Sequence, residues 1–402
     1  MLFEIIDQKE NCTNIVSQNK IISNPEYIKL TRTWTYHPSL DGLDIEYASL
    51  YTNGKSLNDC CPDHLIEEWE SVKKKHLAFI KSLNQAKVKL NDHCFYDLVP
   101  ASFVVEYFSL KSKITEHVLD NYPKPKNYDF LLGLMKMTTE IRSRTMNVNL
   151  STLSDKLHDI KVRSFRNKIQ NCDKYVDYNI FGTITGRLTT KKNSFPLLTM
   201  NKDYRSVVIP NNDWFIELDF NAAELRCMLA INDRPQPQED IHNWHSKIMN
   251  DLSDDNMDRN RIKGKIFKWL YGPLSHSLGI PKIEEQYDKN QVIDKCWDGE
   301  KIVNHFGREI PSDKFHALNM IIQSTTSDLF LRRAIAINKI LSGKKSYIMG
   351  LIHDSIVLDF SKEDKNILKD LVSEFSDTDL GVFKVNTSLG TDFGNMRRFE
   401  LG

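Results

Sequence analysis

Along the 402 residues the spacing of apolar positions changes character twice. Residues 1–60 alternate short apolar runs with turn signals such as Asn24-Pro25 and Asn53-Gly54, and they carry no strong helix pattern. From Asp63 the apolar residues fall three to four apart: Leu65, Trp69, Val72 and Ile80, then similar series over 104–118 and 130–141. That spacing puts them on one face, so three long helices with polar faces are predicted. After Tyr178 the pattern turns to short β-rich runs at 179–185, 214–220, 347–352 and 356–360, with helical segments following or separating them. There is no internal repeat and no low-complexity tract. The predicted class is α+β with an antiparallel sheet.

Composition adds little to this picture, since 40% hydrophobic and 27% charged residues are ordinary for a globular protein. The first residues turn acidic before any apolar run develops, and no uncharged stretch of about 18 apolar residues follows. A chain outside the membrane with no targeting signal is expected. The seven cysteines form no Cys-x-x-Cys pair, and adjacent Cys60-Cys61 lacks zinc-ligand spacing, so reduced thiols are expected. Net charge is zero but unevenly spread: residues 161–205 hold ten Lys or Arg against three Asp. Such an excess tracks a phosphate backbone or merely forms a solvated basic face.

Three segments carry candidate chemistry. In Arg259-x-x-x-Lys263-x-x-x-Phe267-x-x-x-Tyr271-Gly272 the four-residue step lines two cations, a ring and a phenol along one helix face, with Gly272 placed to end the helix. That row suits a nucleoside triphosphate, although a basic amphipathic helix is more often plain surface. In the segment from Leu218 to Arg226 an apolar strand ends at Asp219 and a helical pattern begins at once. The bland alternative is that Asp219 or Asn221 caps that helix. Third, His353-Asp354-Ser355 lies between two apolar runs and reads as the tip of a β-hairpin. A second His-Asp pair, His158-Asp159, sits in a charged helical context and reads as surface. Nucleotidyl transfer needs two Mg²⁺ ions held by carboxylates on neighbouring strands. Asp219 and Asp354 are the pair chosen for that role, with the Phe220 main-chain carbonyl, waters and triphosphate oxygens completing the coordination.

From about residue 178 to the C-terminus these blocks, in this order, resemble the A-family DNA polymerases. Thr185-Gly-Arg187-Leu resembles the family's primer and minor-groove contact, and Arg205 follows where an Arg is common. The segment 219–226 resembles motif A, Asp240-Ile-His242 a block whose His touches the triphosphate, and 259–272 motif B. Phe306-Gly-Arg308, Asn319-x-x-x-Gln323 with its following Ser-Thr-Thr-Ser-Asp, motif C at His353-Asp354 and a closing strand at 385–393 complete the series. The resemblance implies a right-hand polymerase with an antiparallel-sheet palm, a helical thumb and short helical fingers. Its parts would be an N-terminal region of unknown role at 1–60, thumb-like helices at 61–177, palm at 178–235 and 311–402, and fingers at 236–310. It implies a template-directed DNA polymerase that adds deoxynucleotides to a primer 3′-OH using two Mg²⁺, for which Mn²⁺ can substitute.

By the same resemblance Lys263 binds the triphosphate and protonates the departing pyrophosphate, Arg259 and His242 hold phosphates, and Phe267, Tyr271 and Glu224 frame the sugar and base. Arg187, Arg205, Asn319, Gln323 and His353 would contact primer-template DNA. A cytoplasmic setting, in a bacterial cell or a virus-infected host, is implied, with a separate exonuclease or processivity factor as a further partner. The chain departs from the pattern at Ser355, where the family usually has Glu, at Ile266, Lys268 and Phe315, and in the short 272–306 interval. As a neutral hydroxyl, Ser355 is expected to add little to a metal site. Two other readings stand: a single-subunit RNA polymerase, which shares His-Asp-Ser but tends to carry a small residue at the Glu224 position, and an inactive nucleic-acid-binding relative. Asp44-Ile-Glu46 superficially matches the start of a proofreading exonuclease, but too little chain follows it for such a domain, so none is expected.

Overall fold

The computed structural model describes residues 1–7, 14–23, 25–26, 29–88, 90, 93–250, 259–272 and 277–400. The chain divides into two compact units, Met1–Glu140 and Ile141–Gly402.

The first unit contains a small antiparallel sheet of Glu4–Ile5, Ile15–Ser17 and Lys20–Ile22 and the helices α1 (Ile66–Gln85) and α2 (Ala101–Asn121). Helix α3 (Tyr128–Ser143) begins in it and runs through the boundary. These helices occupy the three stretches that the apolar spacing predicts. Along α2, Val104, Phe108, Ile114 and Val118 are buried and the alternate face is polar. The N-terminal strand is tied to α2 by a fully buried acid: Glu4 accepts from Thr115 Oγ1 at 2.5 Å and pairs with Lys111 Nζ at 2.8 Å. Burial of an ion pair is tolerated here because a hydroxyl takes up one of the carboxylate's lone pairs. The thiols depart from expectation in one place. Cys60, Cys61, Cys172, Cys227 and Cys296 are free, but Cys94 is disulfide-bonded.

The second unit is built on a five-stranded antiparallel sheet. Its strands are β1 (Trp214–Phe220), β2 (Tyr347–Ile352), β3 (Ser355–Phe360), β4 (Val385–Gly390) and β5 (Arg397–Arg398), in the order β2-β3-β1-β4-β5. The class is therefore mixed helix and sheet, as the sequence pattern predicts. The helices include α4 (Ile160–Asn171), α5 (Ala223–Ile231), α6 (Ile241–Asn250), α7 (Arg259–Leu270), α8 (Lys314–Leu341) and α9 (Leu368–Ser376). Among the described residues no helix is long and apolar enough to cross a membrane.

Period-two alternation in β1 sends Ile216, Leu218 and Phe220 to one face and Glu217 and Asp219 to the other. The apolar face is closed by α9, where Phe375 stacks on Phe220 at 4.1 Å between ring centroids with an 11° tilt. Phe330 of α8 meets the edge of the same Phe375 ring. A second cluster joins Ile262, Ile266 and Trp269 of α7 to Leu225 and Met228 of α5 and Leu318 and Ile322 of α8. That burial fixes which face of α7 is left outward.

One expected strand is mostly a turn. Of 179–185 only the start is extended, with Tyr178–Asn179 pairing to Thr189–Thr190. Thr183 Oγ1 donates to the Arg187 carbonyl and the Gly186 amide to the Thr183 carbonyl, so local bonds replace a ladder. Gly186, at φ +81°, makes the turn, and a Cβ there would lie 2.6 Å from Arg308 Nη2.

The aromatic stack under β1 sets the position of the polar face above it. Replacing Phe375 with Ala removes a fully buried ring and is expected to lower stability by about 3–5 kcal/mol, read from the urea midpoint of the purified protein.

Candidate active site

Register places the two predicted acids beside each other. Across the sheet Asp219 is paired with Ser355 on β3 and with Asn386 on β4. Asp354 immediately precedes Ser355 in the two-residue turn between β2 and β3 and so lies next to the end of β1. The Phe220 amide donates to the Asp354 carbonyl at 3.4 Å. In a strand the carbonyl of a residue points to the same side as its amide, so the Phe220 oxygen also faces this turn. Each acid lies close to a left-handed residue that is not glycine: His353 at φ 55°, directly before Asp354, and Ala222 at φ 52°, three residues after Asp219. Such backbone costs about 1–2 kcal/mol per residue and is kept only where its surroundings hold it. Neither Asp219 nor Asn221 caps α5: its N-cap is Ala222, which has no side-chain bond to offer.

Burial is the main influence on both carboxyl groups. Burial, then the charge of Asp354, pushes the Asp219 carboxyl up to about 7, against a 3.0 Å hydrogen bond from Asn386 Nδ2. Burial also raises Asp354, helped by Glu224. Among the described residues no Lys or Arg forms an ion pair with either acid. Two half-buried carboxylates with a main-chain oxygen beside them are the donor chemistry of a hard divalent cation. Yet no cluster of three or more His, Cys, Asp or Glu capable of holding a metal occurs among the described residues.

Of the row along α7, Phe267 borders the same cavity as Asp354, whereas Arg259 and Lys263 do not. Lys263 Nζ stands 5.9 Å from the Phe267 ring, and Phe267 and Tyr271 lie parallel at 6.2 Å. Tyr271 donates its hydroxyl to the Glu224 carboxylate, and Arg187 Nη2 holds the other Glu224 oxygen at 2.6 Å. Burial and Glu224 together raise the Tyr271 phenol far above its ordinary range. A cavity of about 280 Å³ is bounded by Arg187, Glu224, Phe267, Thr326, His353 and Asp354. Asn319 and Gln323 lie one turn apart on α8 and bond to each other at 2.6 Å.

Other predicted residues are placed differently. Arg259 is bound by Asp240 through Nε at 3.1 Å and Nη2 at 2.7 Å. His242 is only 2% exposed, and burial pushes its imidazole down to about 4. Its ring rests against Phe267 and His245. Arg205 lies over the Phe393 ring at 4.7 Å and does not line the cavity.

A buried polar knot was not legible beforehand. Asp240 accepts from Arg259, from Asn221 Nδ2 at 2.8 Å and from the amides of His242 and Asn243. Burial alone would raise its carboxyl; these bonds hold it well below the carboxylate range. The Asn221 side-chain oxygen accepts from the Ile241 amide at 2.9 Å, and fully buried Arg226 bonds the carbonyls of Asn221, Pro237 and Glu239. The strand end is thereby fastened to the starts of α6 and α7. Asn304, Arg308 and Asp328 form a second knot against the Gly186 turn. The only sequence signal for the first knot was that Asn221, Arg226 and Asp240 fall inside the resembling blocks.

No family model matches the chain, and no curated protein matches it. Among solved structures, the POL domain of Pol1 from M. smegmatis, in complex with DNA primer-template and dNTP, aligns with a TM-score of 0.57. The alignment covers 78% of this chain and 79% of that one at 13% sequence identity. At that identity the likeness is one of fold: this chain has the fold of a polymerase domain.

Proposed function

We propose that the chain is a template-directed DNA polymerase that adds deoxynucleotides to a primer 3′-OH without a proofreading exonuclease. One observation carries the reading. Asp354, in the turn beside Asp219 at the end of β1, lines a cavity that Glu224 of α5 and Phe267 of α7 also border, in a chain with a polymerase-domain fold. The sheet-bearing segments 178–235 and 311–402 would be the palm, 236–310 the fingers and 61–177 a thumb-like region.

Asp219, Asp354 and the Phe220 carbonyl would hold two Mg²⁺, or Mn²⁺ in their place, which supply Lewis-acid stabilisation of the transferring phosphoryl group. Triphosphate oxygens and water would complete the coordination. Lys263, which has no anionic partner among the described residues, sits beside the triphosphate and gives its proton to the departing pyrophosphate. Arg259 turns from Asp240 toward the outer phosphates, trading one bidentate oxyanion for another. Phe267 and Tyr271 bear on base and sugar, and His242, whose ring packs against Phe267, would serve a phosphate. Arg187, Arg205, Asn319, Gln323 and His353 serve the primer-template, whose backbone the basic 161–205 stretch attracts.

Asp219→Asn and Asp354→Asn are each expected to lower single-turnover primer extension by at least about 100-fold. Duplex affinity, followed by fluorescence anisotropy, should stay nearly unchanged, because a metal charge is lost and not a phosphate contact. An equal loss of duplex binding would remove the metal assignment.

The raised Asp219 carboxyl gives a signed pH dependence. Its folded pKa of about 7 exceeds the ordinary 3.8, so its stabilising protonation is complete below 3.8 and lost as pH rises through 7. In metal-free protein the melting temperature of wild type relative to Asp219→Asn should fall over pH 4–7. Added Mg²⁺ should recover the difference above pH 7, where the acid is ionised.

The sugar test separates this reading from an RNA polymerase. Glu224, held by Tyr271 and Arg187, blocks the 2′ position, and a 2′-hydroxyl would leave one of these groups unpaired. Discrimination against ribonucleotides should be on the order of 3 kcal/mol, roughly 100-fold in kcat/KM, and Glu224→Ala should remove most of it. Equal use of both sugars by wild type would favour the RNA polymerase reading.

A further inference from the structure

The polar face of the sheet carries a third acid that motif order does not single out. Glu217 lies two residues before Asp219 on β1 and therefore on the same face. Ser355 Oγ donates to Glu217 Oε1 at 3.0 Å and, more weakly, to the Ile352 carbonyl at 3.2 Å. A hydroxyl has one proton and two lone pairs. With its proton committed to Glu217 and Ile352, the Ser355 oxygen offers only lone pairs to its other neighbours. The nearest cross-strand neighbour on that face is Asp219. Asp219 in turn has Oδ2 taken by Asn386, leaving Oδ1 as its open oxygen. The charge of Glu217 is felt at this point, since it helps to raise Asp219.

We propose that Glu217 is a positioning residue of the divalent-cation site, turning the Ser355 hydroxyl so that its oxygen lone pairs and the charge behind them act on a cation or cation-bound water at Asp219. The inference rests on the metal-site reading above. It revises the small contribution expected of Ser355 alone: the hydroxyl is polarised by a carboxylate at one remove. Glu217 needs no direct bond to the cation, which agrees with the absence of a three-donor cluster among the described residues. Groups of this kind behind a metal ligand typically change metal affinity 10- to 100-fold.

Glu217→Gln keeps the side-chain oxygen that accepts from Ser355 and removes only the charge. Mn²⁺ titrated into the purified full chain and followed by electron paramagnetic resonance should show about 10-fold weaker binding in Glu217→Gln than in wild type. Ser355→Glu in the Glu217→Gln background restores the missing charge and should recover most of that affinity. In primer extension the Mg²⁺ half-saturation point should rise in parallel, while the KM for the nucleotide at saturating Mg²⁺ stays put, a split that loosened packing would not give. Should Glu217→Gln fail to fold by circular dichroism, Ser355→Ala breaks the same link and is expected to weaken Mn²⁺ binding. Wild-type Mn²⁺ affinity in Glu217→Gln, or in Ser355→Ala where the first cannot be purified, alongside weakened Asp354→Asn, overturns the role of Glu217. Undiminished Mn²⁺ binding in both Asp219→Asn and Asp354→Asn overturns the metal-site reading itself, with the role of Glu217.

Discussion

The placement of two half-buried acids, Asp219 and Asp354, side by side is the constraint that the polar end of the sheet answers to. Two carboxyl groups in a half-buried site separate or take up protons unless the backbone holds them together. Here the backbone does so through the ladder: six consecutive residue pairs join β1 to β3 and six more join β1 to β4, with Asp219 inside both registers. The sheet resists shifting because Phe220, adjacent to the acid, is locked between Phe375 and Phe383 on its opposite face. Ring packing on the apolar side thus fixes the strand whose other face carries Asp219. The left-handed residues His353 and Ala222 lie in the turns next to the two acids.

The same arrangement links the acids to the α7 stripe. Asn221 follows the strand end directly, and its side chain joins Asp240 to Arg226, while Asp240 holds Arg259 at the start of α7. Each member of this chain is satisfied by the next, so it behaves as a rigid unit in which one lost partner leaves a buried polar group unpaired. Burial pushes the Arg226 guanidinium down to about 10, yet three main-chain carbonyls and the Asn221 amide oxygen keep it supplied with acceptors.

The amino-acid pattern by itself determined the class, the three helices at 66–85, 101–121 and 128–143, strand β1, the hairpin around His353-Asp354 and the one-sided row on α7. Each follows from a local period, 2.0 or 3.6, which a linear sequence records directly. The pattern failed at 179–185, where β-rich composition was overruled by Gly182, Gly186 and the threonine hydroxyls. Only tertiary structure decided what the polar side chains bond to. His242 becomes a buried ring, Arg259 the partner of Asp240, Arg205 a cation over Phe393, and Glu217 the acceptor for Ser355. These pairings join residues as far as 188 positions apart, so no local period encodes them; strand register and helix docking bring the groups within hydrogen-bond reach.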